Sequence, residues 1–266
     1  MTDSIEFECR DSTAWIAFNR PNAKNALSAE MMDDLQALLN GLADNPKVRV
    51  VVISGKGSDF CSGADVGAMA AMLTLSPEER AARFHRAIDE RIVPLFHAFR
   101  RLSQPVVASV RGYVIGIGVQ FALLSDLVVA SETAQFVLPQ VRLAHTLDHG
   151  ESWLLPRRIG LSKAMQLCLL GEPMNAVDAE RFGLTNWTTT DEALERETEK
   201  LVAKLLRGAP DALQRTKALL SVSENNNLER QLEAERTHVG FGAASDNFVE
   251  AVRAFNEKRV PKFSGI

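Results

Sequence analysis

A strand that runs straight into a helix is the feature that most limits how this chain can fold. In QPVVASVRGYVIGIGVQFALLSD, residues 104–126, the β-branched run VVASV is followed by Gly112, Gly116 and Gly118 and then by an apolar helical stretch. Short β-branched runs also stand at TAWIAF (13–18), VRVVVIS (48–54) and LVVA (127–130), with longer stretches of helical period between them. This alternation predicts an α/β fold. A helix over 28–43 takes Ser28 as N-cap and aligns Met31, Leu35, Leu38, Leu39 and Leu42. A second begins at Ser76, where SPEE makes a capping box with Pro77 in the first turn, and Pro94 is expected to kink or end it. From Asp191 onward the strand signals vanish, and amphipathic helices are expected near 192–207, 211–222, 227–240 and 245–258. The chain thus divides into a core over 1–190 and a helical region over 191–266. The last helix carries Phe248, Val249, Val252 and Phe255 on one apolar face, which must dock on its own domain or on a neighbouring subunit.

Charge and cysteine usage exclude several function classes. A net charge of -4, with Lys and Arg scattered among acids, supplies no basic face for phosphate backbones, so nucleic acid is not an expected partner. Cys9, Cys61 and Cys168 are odd in number and far apart, which argues against a disulfide scaffold or a zinc knuckle. No apolar run approaches the ~18 residues of a membrane span, and the opening MTDSIEFECRDST is too acidic for a signal peptide. A cytoplasmic location without a membrane partner is expected.

The glycines after VVASV expose backbone amides at a helix start, a place that favours negative charge. The dinucleotide fingerprint is excluded, because its third glycine position holds Phe121, and no GK[ST] follows to make a Walker loop. A second loop, GKGSDFCSGAD at 55–65, also follows a strand and is rich in small residues. Either loop alone reads as an ordinary tight turn; together they suggest two amides aimed at one oxygen.

NRPNAKNALS (19–28), VRVVVISGKGSDFCSGAD (48–65), SQPVVASVRGYVIGIGVQFALLSDLVVAS (103–131), LPRRIG (155–160) and AFNEKRVPKFSG (254–265) resemble, in order and spacing, the enoyl-CoA hydratase/isomerase, or crotonase, superfamily. The resemblance implies a spiral of ββα units, a C-terminal helical trimerisation region, and a homotrimer or hexamer. It implies an acyl-CoA thioester as substrate, coenzyme A entering as part of that substrate, and no separate cofactor or metal. By motif position the thioester oxygen would lie between the amides of Ser62 and Ile117, Ile117 standing where a glycine is common. Coenzyme A would lie near Lys24, Ala26, Ala64, Asp65 and Gly116, with Phe255 and Lys258 contributed from the last helix. The segment 69–91 corresponds to the variable wall of the acyl pocket.

Members that add water to a double bond use two glutamates, and here those positions read Gln120 and Gln140, whose amides cannot transfer protons. Asp148 stands where isomerases of the superfamily look to carry an aspartate acid/base. For that task near neutral pH, burial is expected to raise its pKa. The same residue also reads as the N-cap of the SWLL helix, with Glu151 completing a D-x-x-E box. His145 and His149 invite a metal reading that fails because the pair straddles the expected helix start; either could tune Asp148 instead. His85 and His97 read as packing residues. A hydratase with water held by Gln120 and Gln140, a non-catalytic acyl-CoA binder, and a hydrolase built on His145, His149 and Asp148 remain open beside the isomerase.

Overall fold

The computed structural model describes residues 3–264, without the side chains of Val66, Ala68 and Met69, so Met69 of the expected pocket wall lies outside the described residues. The chain begins with a hairpin, β1 (Ile5–Arg10) against β2 (Thr13–Phe18), in which Ile5 faces Phe18 and Arg10 faces Thr13. Helix α1 (Ala29–Ala43) has its N-cap at Ser28, whose side chain accepts from Met31 N, and it buries Met31, Leu35, Leu39 and Leu42 as the sequence predicts. Strand β3 (Val50–Gly55) lies parallel to β2. Next come α2 (Pro77–Ala87), with both halves of the Ser76–Glu79 capping box made, and α3 (Val93–Arg101). Pro94 does not end this helix. Ile88–Ile92 wind as a π turn directly before it, with the Val93 amide donating to Ile88 O, so the hydrogen-bond register shifts where the proline supplies no N–H.

Strand β4 (Val106–Val110), parallel to β3, leads to β5 (Tyr113–Ile115) and α4 (Ile117–Leu124); β6 (Leu127–Ser131) and β7 (Gln135–Val137) follow. The chain then forms α5 (Glu151–Ile159), α6 (Leu161–Leu170), β8 (Met174–Asn175), α7 (Ala176–Phe182) and β9 (Trp187–Thr189). The strands make a six-stranded sheet in the order β1-β2-β3-β4-β6-β9, parallel beyond the hairpin, and a three-stranded sheet β5-β7-β8. Side chains alternate between the two faces of the large sheet. Val51 and Ile53 enter the main core, while Val50 and Val52 pack on the other face with Val107 and Val202.

Val202 belongs to α8 (Leu194–Leu206), whose Thr198 hydroxyl donates to Ser109 Oγ at 2.9 Å. So the first helix beyond residue 190 covers the sheet and serves the core layer. The helices α9 (Pro210–Ser223), α10 (Leu228–Ala243) and α11 (Asp246–Asn256) complete the all-helical tail, within a few residues of the expected spans.

The main core closes on an aromatic cluster. Phe121 of α4 lies 5.4 Å from Phe18 and 5.2 Å from Phe99, and Phe18 meets Phe60 edge-on at 5.6 Å. Truncating Phe121 to Ala should cost about 3–5 kcal/mol through lost burial and the cavity left behind. The expected readout is a lower urea midpoint with an unchanged transition slope.

Candidate active site

Two turns meet at the carboxyl end of β3. The amide of Phe60 donates to Arg111 O (2.8 Å), that of Cys61 to Tyr113 O (2.9 Å) and that of Ile115 to Cys61 O (2.9 Å), so residues 60–61 pair with the start of β5. Approach this close needs glycine: a Cβ on Gly118 would lie 2.8 Å from Cys61 O. Gly116, at φ 53° and ψ -115°, turns the chain into α4 and donates to Val137 O at 3.0 Å. Ile117, the first residue of α4, then presents an amide without an acceptor among the described residues.

On the facing turn, the structure corrects the assignment of Ser62. Its amide donates to Lys24 O at 3.0 Å, so it has no hydrogen left for a ligand oxygen. Among the described residues the amide of this turn without an acceptor is that of Ala64, between Gly63, whose carbonyl accepts from Leu27 N, and Asp65, whose amide donates to Leu27 O, both at 2.9 Å. Asn25 sets this loop: fully buried, it donates to Lys56 O (2.9 Å) and Asp59 O (2.6 Å) and accepts from Arg20 N (2.8 Å). Asp65 accepts from Gly67 N and pairs with Arg20, both at 3.1 Å, and the Lys24 ammonium sits 4.3 Å from the centre of the Tyr113 ring. Lys24, Ala26, Ala64, Asp65, Gly116 and Ile117 therefore converge from three turns. Phe255 and Lys258 stand apart at the end of α11. Phe255 is 84% exposed, and neither side chain has a hydrogen bond or ion pair to these turns among the described residues.

The connection from β7 to α5 brings in the acids. After a 3-10 turn at 140–143 and a left-handed Ala144, residues 145–150 lead into α5, whose N-cap is Gly150 at φ 81°, not Asp148. Only glycine takes that conformation freely, so the helix starts after Asp148, and the expected capping box is not formed. Asp148 Oδ1 instead lies 2.8 Å from His149 Nδ1, and His145 Nε2 lies 3.8 Å from Oδ2. At the same ring nitrogen, the wholly buried Glu151 sits 3.4 Å from His149 Nδ1 and accepts from His149 N (2.9 Å) and from Gln140 Nε2 (3.4 Å).

These contacts reverse the expected shift of Asp148. Burial alone would raise its carboxyl, but the hydrogen bond and charge of His149, the charge of His145 and the Gln140 amide outweigh it and hold it below the usual range. Burial would lower His149, yet the hydrogen bonds and charges of Asp148 and Glu151 raise it to about 9. Near neutrality, then, Asp148 is an anion beside a buried imidazolium. Donor atoms of Asp148, His149 and Glu151 lie within 4.8 Å of one another. The cation they surround is the imidazolium itself, whose protonated Nδ1 has no lone pair for a metal.

Gln120 is buried inside α4, with neither amide atom partnered among the described residues, and Gln140 Oε1 is likewise unpartnered. His85 and His97 are exposed on α2 and α3, not packed as expected. The pairing of His149 with Glu151 was not legible as a unit; its only sequence signal is an acid opening an otherwise apolar helix.

Residues 8–265 match the profile of the family described as enoyl-CoA hydratase/isomerase. The chain is similar to the 2,3-dehydroadipyl-CoA hydratase of Escherichia coli, 32% identical over 250 residues and 94% of each chain. It is also similar to the 1,2-epoxyphenylacetyl-CoA isomerase of the same organism, 30% identical over 250 residues and 94% of each chain. The crystal structure of enoyl-CoA hydratase from Bacillus anthracis superposes with a TM-score of 0.91 at 27% identity, covering 99% of this chain and 100% of that one.

The charge cluster sets a pH dependence of stability. The folded pKa of His149, about 9, lies above its unfolded value of about 6.5, so its stabilisation is complete below the unfolded value. It is lost as pH rises through about 9. Asp148 works in the opposite sense: its contribution is present above the unfolded value of ~3.9 and is lost as pH falls through its depressed folded value. The thermal midpoint should fall between about pH 6.5 and 9 in the native protein, and His149→Gln should flatten that fall.

Proposed function

This chain belongs to the enoyl-CoA hydratase/isomerase family, and from that premise we propose that it moves a double bond along an acyl-CoA chain by proton transfer through Asp148. The protein is an acyl-CoA enzyme with the crotonase fold. One observation carries the isomerase reading: in the connection to α5 a carboxylate, Asp148, stays partly open at 18% exposure, while the positions of the two hydratase glutamates hold the non-titrating Gln120 and Gln140.

In this mechanism the thioester oxygen sits between the amides of Ala64 and Ile117. The Asp148 carboxylate takes a proton from the acyl chain; the C–H electron pair moves into the conjugated system, and negative charge collects on the thioester oxygen. The amides stabilise that charge, a contribution of about 3–4 kcal/mol per donor in comparable holes. Asp148 then returns the proton to a different carbon, and the double bond has moved. Ile117 brings a branched side chain into the turn without removing its amide. Lys24, Ala26, Ala64, Asp65 and Gly116 would line the coenzyme A groove, with Phe255 and Lys258 contributed from the last helix of a neighbouring subunit.

Supporting the assembly expected from the resemblance, α10 and α11 expose Leu232, Val239, Phe241, Phe248, Val249 and Val252. A surface of this kind is characteristic of an interface. We read residues 191–266 as the region through which subunits associate, with α8 also serving the core.

Asp148→Asn should lower kcat on a 3-enoyl-CoA by about 10²–10⁴-fold, with calorimetric binding of a CoA thioester retained. Rapid hydration of crotonyl-CoA that survives the substitution would favour water held by Gln120 and Gln140 and overturn the assignment. Binding of CoA thioesters without turnover of any substrate in a broad panel would favour a non-catalytic binder. Sedimentation should give the mass of three or six chains, and Phe248→Glu should reduce it to that of one.

A further inference from the structure

We propose that His149 is a positioning residue for the Asp148 carboxylate, and that Glu151 acts through His149, as the buried carboxylate that fixes the ring. This rests on the reading of Asp148 as the group that moves the proton, and it assigns roles to two side chains which that reading does not use.

The geometry separates the two carboxylates. Glu151 is 0% exposed and its oxygens are committed, one to His149 N at 2.9 Å and the other to His149 Nδ1 and Gln140 Nε2 at 3.4 Å each, so it cannot meet a substrate. The His149 side chain is itself 10% exposed and presents Nδ1 to both acids, 2.8 Å from Asp148 Oδ1 and 3.4 Å from Glu151. That oxygen is sealed from solvent, which leaves Oδ2 as the atom available for chemistry. An ion-pair contact of 2.8 Å at one oxygen restrains the turning of the carboxylate, so the other oxygen keeps a preferred direction. Asp148 is therefore aimed by a ring that is in turn aimed by Glu151, the logic of a base oriented by a third group.

The balance of each step is simple. A C–H bond breaks, its proton goes to Asp148 Oδ2 and its electron pair to the thioester-conjugated system; then the Oδ2–H bond breaks and the proton goes to another carbon. His149 keeps its proton throughout. Its charge weakens Asp148 as a base in the first step as much as it favours the return step, so its contribution to the rate is the aim of the carboxylate. The titratable groups acting on the ring are Asp148 from its own connection and Glu151 from the first turn of α5; His145 faces Asp148, and Cys168 of α6 lies in the field of Glu151. The Cys168 thiol stays neutral, because burial and the charge of Glu151 raise it to about 11.

The test compares pH profiles of kcat for the native protein, His149→Gln and Glu151→Gln on the 3-enoyl-CoA that Asp148→Asn fails to isomerise. His149→Gln should lower kcat about 10–100-fold, with KM changed less than about threefold. Its acid limb should move to higher pH, because burial of Asp148 is then opposed only by His145 and the Gln140 amide. The alkaline decline near pH 9 should vanish. In Glu151→Gln the decline should move to lower pH. A merely structural role would lower the thermal midpoint and leave both limbs in place, and that result would overturn the proposal. NMR titration of the His149 imidazole needs no substrate; a midpoint near 9 that falls in Glu151→Gln supports the clamp, and one unmoved by that change defeats it. Should Asp148→Asn keep its rate, the base assignment itself fails; a silent Asp148→Asn beside a native profile in His149→Gln sinks only the positioning role.

Discussion

The pairing of residues 60–61 with β5 is the constraint on which the rest of the site depends. Neighbouring parallel strands deliver their carboxyl ends to the same edge of a sheet, and in open α/β sheets that edge is where ligands meet backbone. Here the two turns are drawn together by three backbone hydrogen bonds between residues 60–61 and 111–115, at a separation that Gly118 permits. The consequence is a pair of unspent amides, at Ala64 and Ile117, on adjoining turns. What fixes them is mainly backbone and the buried amide of Asn25, with the Arg20–Asp65 pair beside Ala64, so the donors are set before any ligand arrives. Preorganised dipoles of this kind need no rearrangement as charge develops.

Against that neutral frame stands one charged cluster. Burial and charge pairing act on Asp148 in opposite senses, and pairing prevails because the cation lies 2.8 Å away and is itself enclosed. The imidazolium survives burial because it has two anionic partners. Removing one of them would leave a buried charge without full compensation, which is why the three residues act as one unit.

Local features were legible in the sequence. Ser28 and its leucine stripe, the SPEE box and the strand runs 13–18 and 106–110 need only their own neighbours to form, and they appear where expected. The family resemblance located both turns and Asp148. What could not be read was decided by partners distant in sequence. Which amide of CSGAD remains free depends on Lys24 and Leu27, some forty residues away. The start of α5 depends on the left-handed turn at Gly150, which outweighs the capping preference of Asp148. The direction of the Asp148 shift depends on how deeply His149 is enclosed, and spacing carries no information on depth.

The π turn at 88–92 has its own effect on the site. It lies between α3, anchored through Leu95, Ala98 and Phe99, and α2, which has no buried residue and meets the site through the edge of Phe84, 4.7 Å from the His145 ring. A π turn is in effect one surplus residue wound into a helix, and each residue advances the helical phase by about 100°. Losing that residue would rotate Phe84 off His145 while the anchored half kept its seat. Chain length in this arm can therefore reshape the approach to Asp148 in discrete rotational steps, without any change to the core.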